Sequence, residues 1–263
     1  MSSFSKSVAY PWALTGIFGA VHLVITLIPF SIGIGGVGEI SFGLISAPIV
    51  GFLLGPFFGV IAVIIGSIIA ILFNSSIAII GPFTVIATAV GAFAAGAVRT
   101  KLRVSIPILY LLAMGVFLIS PIGLIIPYFL IFHFIVFLLS LIFFIPQVSK
   151  RVIEPLMLER SFNRFSGLVS LFLLSIVAVT LDNVVGSAFG AYYFIAAFAM
   201  TTEALAVIFA AGIPVIPIER LFGSLIITGI LAALAEVLVR ANFGLPLSRE
   251  ENFELLELSE EEI

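Results

Sequence analysis

GLVSLFLLSIVAVTLDNVVGSAFGAYYFIAAFAM, residues 167–200, carries one charged side chain, Asp182, in an otherwise apolar run. A helix crossing a bilayer needs about 20 mostly apolar residues, and this run exceeds that without interruption. It shows none of the in-out alternation of a barrel strand. A membrane-spanning α-helix is the reading, and the rest of the chain repeats it. Of 263 residues, 62% are apolar and 10% charged, against about 25% charged in soluble domains. The fold class is therefore all-α, a polytopic membrane helix bundle.

Apolar blocks lie near residues 11–30, 41–55, 57–73, 79–98, 105–121, 122–146, 167–200 and 216–240, which predicts about eight transmembrane helices. Punctuation between them is explicit: the glycine-rich SIGIGGVG at 31–38, the pair Gly55-Pro56, and the pair Gly81-Pro82. The 41–55 block is short and holds Pro48, so it reads as a tilted or broken span, which protein or a cavity must cover. The first apolar block has no cleavage pattern and reads as a retained helix. Residues 1–247 then form one integral membrane domain, with a basic cytoplasmic loop at 147–165 and an acidic cytoplasmic tail at 248–263.

The net charge of −3 hides an asymmetry, because seven of the fourteen acids fall within residues 250–262 and the remainder is net positive. Short basic loops stay cytoplasmic. Eight helices put ten of the eleven Lys and Arg residues inside, Arg220 being the exception, whereas a ninth span at 191–212 moves Arg240 and Arg249 outside. Both termini are accordingly expected in the cytoplasm. The apolar segment 200–215 then lies outside, as a re-entrant or cap helix.

Ionisable groups within spans are costly and mark function by default. Asp182 lies roughly 24 Å along a helix that starts near Ser166, at about 1.5 Å per residue, hence in the outer third of the bilayer. Together with Asn183 it either contacts a solute or bonds neighbouring backbone. Glu39 in the first external loop, and Glu203, Glu219 and Arg220 around the external segment, either contact a solute or are helix-end charges at the interface, and Asn74 at the end of the 57–73 block either turns to a solute or is a simple cap. His22 and His133 read as hydrogen-bonded packing residues, and Trp12 as an interfacial anchor. Small residues at four-residue spacing let helices approach closely in lipid. Gly16 with Ala20, the trio Ala62, Gly66 and Ala70, and the trio Ala87, Gly91 and Ala95 form such faces, for packing within the chain or for docking a second subunit.

The absence of cysteine excludes disulfide and thiolate chemistry, and two distant histidines make no metal site. No H-E-x-x-H, G-x-S-x-G or P-loop pattern and no pair of aspartates suited to a protease dyad occurs. Neither an enzyme, a cofactor, a metal nor a nucleic-acid partner is expected. The partners expected are membrane lipid and a small solute.

Three stretches carry a family resemblance: APIVGFLLGPFFG at 47–59, LDNVVGS at 181–187 and IPVIPIERL at 213–221. Their order and spacing resemble the substrate-binding S components of energy-coupling-factor transporters, over about two-thirds of the chain. The resemblance implies six spans with both termini inside, so the helices at 105–146 read as an inserted pair. It also implies capture of a vitamin-like solute from the outer side, docking through the first helix onto a transmembrane coupling subunit, and two cytoplasmic ATPases. A self-sufficient transporter or channel using Asp182 as an ion site, and a scaffold without solute, remain open beside it. With cysteine introduced by Ser248→Cys, an impermeant thiol reagent should leave intact cells unlabelled. Labelling would put the tail outside and establish nine helices.

Overall fold

The computed structural model describes residues 9–28, 41–157 and 164–241. These form nine α-helices: α1 Ala9–Thr26, α2 Gly43–Phe73, α3 Phe83–Ala97, α4 Ser105–Leu118, α5 Ile131–Ser140, α6 Pro146–Ile153, α7 Arg164–Phe198, α8 Thr202–Gly212 and α9 Val215–Ala241. Short 3-10 turns extend α4 and α5, so that six helical stretches are long and apolar enough to cross a membrane: Ala9–Thr26, Gly43–Phe73, Lys101–Leu118, Pro127–Phe144, Phe165–Phe198 and Val215–Arg240. The chain is thus an all-helical, multi-pass membrane protein. Large apolar side chains such as Leu72, Phe73, Leu111 and Leu124 are exposed on its outside, as lipid contact requires.

The expected count of eight spans is met only in this coarser form. Two of the eight blocks, 41–55 and 57–73, are legs of the single element α2. Gly55 divides them with φ 80° and ψ 178°, a conformation essentially reserved for glycine, and Pro56 then starts the second leg with φ already set for a helix. The chain doubles back so sharply that a Cβ on Gly59 would sit 2.7 Å from the Gly51 Cα. A third expected span, α3, has 15 residues, about 22 Å at 1.5 Å per residue, short of a hydrocarbon core of about 30 Å.

Small residues hold this corner together. A Cβ on Gly51 would lie 2.0 Å from the Ala92 carbonyl oxygen, and one on Gly96 would lie 2.5 Å from the Gly55 carbonyl carbon. On the other side α1 packs along the second leg, with Gly19 against Ala62 and Gly66 against the Gly19 carbonyl. The Ala62, Gly66 and Ala70 face is thereby used within the chain. His22 joins the two elements, its Nδ1 2.7 Å from Ser46 Oγ and its Nε2 3.0 Å from Ser67 Oγ, in the packing role expected of it. Trp12 is half exposed and meets Phe57 and Phe58 edge-on.

At the centre runs α7, 35 residues long. Its most apolar window is 72% buried, against 39% or less in every other candidate span. One side of it takes α3 and α9, another takes α4 and α5, where Tyr110 Oη donates to the Val177 carbonyl at 2.7 Å. The 105–146 pair is therefore packed onto the central helix. The 147–165 segment, expected as a loop, contains α6 and a 3-10 turn at Glu154–Leu156. Arg99, in the basic cluster with Lys101 and Arg103 that follows the 79–98 block, is buried. Its guanidinium lies 4.1 Å from the centroid of the Phe52 ring and donates to the Phe52 carbonyl. The acidic tail at 248–263 and Glu39 lie outside the described residues.

The 200–215 segment, expected to lie outside, holds a helix of its own, α8, separated from α7 by Ala199 at φ 49°. Thr201 caps it, its hydroxyl accepting from the Ala204 N–H at 3.2 Å. The connections at 74–82 and 199–201 lie at one end of the bundle, and α1 and α9 meet the other end at Ala9 and Ala241.

Close packing at the 51/92 contact makes a sharp expectation. Gly51→Ala should lower the thermal midpoint in detergent by an amount equivalent to about 1–3 kcal/mol of overpacking. Gly16→Ala, where no atom stands within 4 Å of the added Cβ, should leave the midpoint in place. Equal midpoints for the two variants would contradict the close approach.

Candidate functional site: a polar cavity beside the central helix

Residues 182, 183, 186, 187, 190 and 194 recur at helical spacing and turn one side of α7 towards α3, α8 and α9. A cavity of about 210 Å³ opens there. Gly186 and Gly190 line it from α7, Thr84 and Thr88 from α3 and Leu44 from α2, while Ile80, Phe194 and Phe209 gather around Gly190. Asp182, Asn183 and Arg220 supply the charged and amide groups. Three of the seven residues expected at a solute site are thus brought together from α7 and α9.

The other four fare differently. Asn74 ends α2, and its Oδ1 accepts from Ser76 N–H at 3.1 Å and from Ser76 Oγ–H at 2.7 Å, a local cap. Glu203 is exposed in the first turn of α8, where a carboxylate is favoured by the helix dipole. Glu219 is buried but does not line the cavity. Glu39 is not among the described residues.

Asp182 packs tightly against α3: a Cβ on Gly91 would lie 3.1 Å from the Asp182 Cβ and 3.4 Å from the Ala178 carbonyl oxygen. The Ala87, Gly91 and Ala95 face, expected as a possible docking surface, is therefore occupied by α7 inside the chain. Its small side chains are what bring Asp182 to the cavity wall. Gly16 and Ala20 are exposed, and of the docking residues only they remain accessible from outside.

Arg220, one turn into α9, is 4% exposed, and its Nε is buried with no hydrogen-bond partner. No described residue donates a hydrogen bond to the Asp182 carboxylate. Burying either charge alone is costly, and both side chains line the cavity.

Asn183 is positioned from the far side. His133 of α5 places Nε2 2.8 Å from Asn183 Oδ1 and stacks on Phe129 at a centroid distance of 5.2 Å. With Oδ1 accepting from the imidazole, the Asn183 NH2 stays uncommitted among the described residues. A lone histidine in an apolar helix reads as packing; its link to residue 183 is invisible until α5 meets α7. The threonine pair at 84 and 88 is also missed by the sequence, although its four-residue spacing on the short α3 could have signalled a polar face. There Thr88 Oγ1 donates to the Thr84 carbonyl at 2.9 Å. A second cavity, of about 310 Å³, lies beyond His133 between α5 and α9, walled by Tyr128, Phe132, Ile213 and Ile216.

No group of three or more metal-ligating side chains occurs among the described residues. No protein-family model, curated protein or solved structure matches the chain.

Removing the imidazole leaves the part-buried Asn183 Oδ1 without its donor. His133→Leu should lower stability by about 1–3 kcal/mol, the cost of leaving a buried polar group unpaired, and His133→Gln should recover part of it. Thermal unfolding of the two variants side by side is the measurement. Indistinguishable midpoints would mean that the bond to Asn183 contributes nothing.

Proposed function

We propose that the chain is the membrane-embedded solute-binding subunit of an uptake transporter of the vitamin or micronutrient type. It captures a small molecule from the outer side and works with a transmembrane coupling subunit and ATPases. The observation that carries this reading is the cavity that unites Asp182, Asn183 and Arg220 on α7 and α9. Ionisable groups in a membrane interior are retained where they meet a substrate, an ion or each other, and here both charges face an open volume.

Several features support the finer parts of the proposal. The cavity lies towards the bundle end with the 74–82 and 199–201 connections, which hold no Lys or Arg. The opposite end collects the basic residues 99–103, 150–151 and Arg240, which under the positive-inside rule supports an external cavity and cytoplasmic termini. α8 places Phe209 in the cavity wall and against Phe117 and Phe129, as expected of a cap. The doubled-back α2 with the short α3 fits a six-helix S-component-like core carrying the 105–146 pair as an addition, which completes an eight-helix arrangement. The chain encodes no nucleotide-binding motif, so an energy source must come from partners. The exposed Gly16 and Ala20 on α1 leave a smooth surface for a coupling subunit.

Native mass spectrometry of the purified protein tests the reading directly. A small molecule bound one per chain is the expected result, lost on Asp182→Asn with the fold unchanged. Full occupancy in Asp182→Asn would return that carboxylate to a structural role, and uptake by the chain alone in liposomes would favour a self-sufficient transporter.

A further inference from the structure

Two opposite charges face one small cavity without meeting. Arg220 reaches it from α9 with a buried, unpartnered Nε, and Asp182 reaches it from α7 with no hydrogen bond from a described residue. Both line the same cavity, yet no direct ion pair joins them. A guanidinium and a carboxylate in contact would form the strong charge-assisted pairing that both groups favour in a dry environment. Here the volume between them stands open, bordered by Gly186, Ser187 and the hydroxyls of Thr84 and Thr88. Farther along, Phe194 and Phe209 offer an apolar wall.

Electrostatics then select the occupant. A cation would answer Asp182 and leave Arg220 uncompensated; an anion would do the reverse; either would add a net charge to a water-poor site. A neutral polar molecule could hydrogen-bond to both groups, yet it would bring no opposite charge to either. Only a solute carrying both signs neutralises each wall at once and brings no net charge.

We propose that the cavity binds a small zwitterion of the amino-acid type, its anionic group on Arg220, its ammonium on Asp182 and a short apolar body against Phe194 and Phe209. The uncommitted Asn183 NH2, held by His133, adds a neutral donor beside the anionic group. This assignment rests on the solute-binding reading above and names the class of solute for that site.

Matched ligands test it on the wild-type protein in lipid nanodiscs. L-Leucine, isoamylamine and 4-methylpentanoate share one apolar body and differ only in carrying both charges, the cation or the anion. 4-Aminobutyrate and 6-aminohexanoate vary the separation between the charges. Calorimetric titration should find at least one amino acid bound one per chain, about tenfold or more tighter than both single-charge analogues. Asp182→Asn should abolish its advantage over the carboxylate, and Arg220→Gln its advantage over the amine, while Arg220→Lys keeps the sign of charge and part of the binding. Should a variant fail to fold, the wild-type series still decides. Equal binding of an amine or a carboxylate alone, or binding of none of the amino acids, overturns the zwitterion assignment. Native mass spectrometry separates the two levels: a stoichiometric molecule bearing a single charge or none would refute the zwitterion and leave the solute-binding subunit standing. An empty protein that binds none of the series would refute both.

Discussion

The contact between Gly51 and Ala92 brings two backbones so near that no side-chain carbon fits between them, and the remainder of the bundle is arranged around it. In lipid the hydrophobic effect gives helices little reason to associate, so packing and short polar links decide which faces meet. Gly55 and Pro56 reverse the chain, Gly59 lets the legs of α2 lie together, and Gly96 lets the end of α3 nest against the reversal. With α2 and α3 locked in this way, the alanine and glycine face of α3 presents itself to α7. The central helix can then come close enough for Asp182 to reach the cavity.

That cavity is a consequence of packing small residues on one side of α7 and large ones on the other. Towards α3 and α9 the residues are Gly186, Ser187 and Gly190; towards α4 and α5 the interface is filled by Tyr110, Phe117 and Phe129. A tightly filled interface positions α7, and the looser one leaves a volume into which two charges project. The helix pair at 105–146 is more than a spacer, since it delivers His133 to the back of Asn183 and Phe117 and Phe129 to the base of α8. Removing water from such a volume strengthens every interaction inside it, so the separation of Asp182 from Arg220 bears directly on what the site accepts.

Much of this architecture is legible in the residues. The breaks at Gly55-Pro56 and Gly81-Pro82 fall where the chain turns, the 200–215 segment forms a separate helix, and Asp182, Asn183 and Arg220 stand at one cavity. The division of α2 is less legible, because hydropathy counts two apolar blocks without showing that they fold back on one another. Arg99 reads as a loop charge, but Phe52 offers it a ring face and a carbonyl once the reversal brings the two together. Asn74, Glu203 and Glu219 read as site candidates behind Asp182, since polarity next to a span end looks the same whether a group caps a helix or lines a hole.

What the sequence by itself determined is the class of structure and the cost of its exceptions. Long apolar runs oblige the backbone to satisfy itself in helices, and any charge within them needs a partner. Which partner is a matter of three dimensions. Residues 133 and 183, or 182 and 220, are far apart along the chain, and apolar faces without a strong periodic stripe do not announce their neighbours. Only the close approach of α3, α5 and α9 to the central helix decided that one histidine holds an amide, that one small-residue face is internal, and that an acid and an arginine share an open volume.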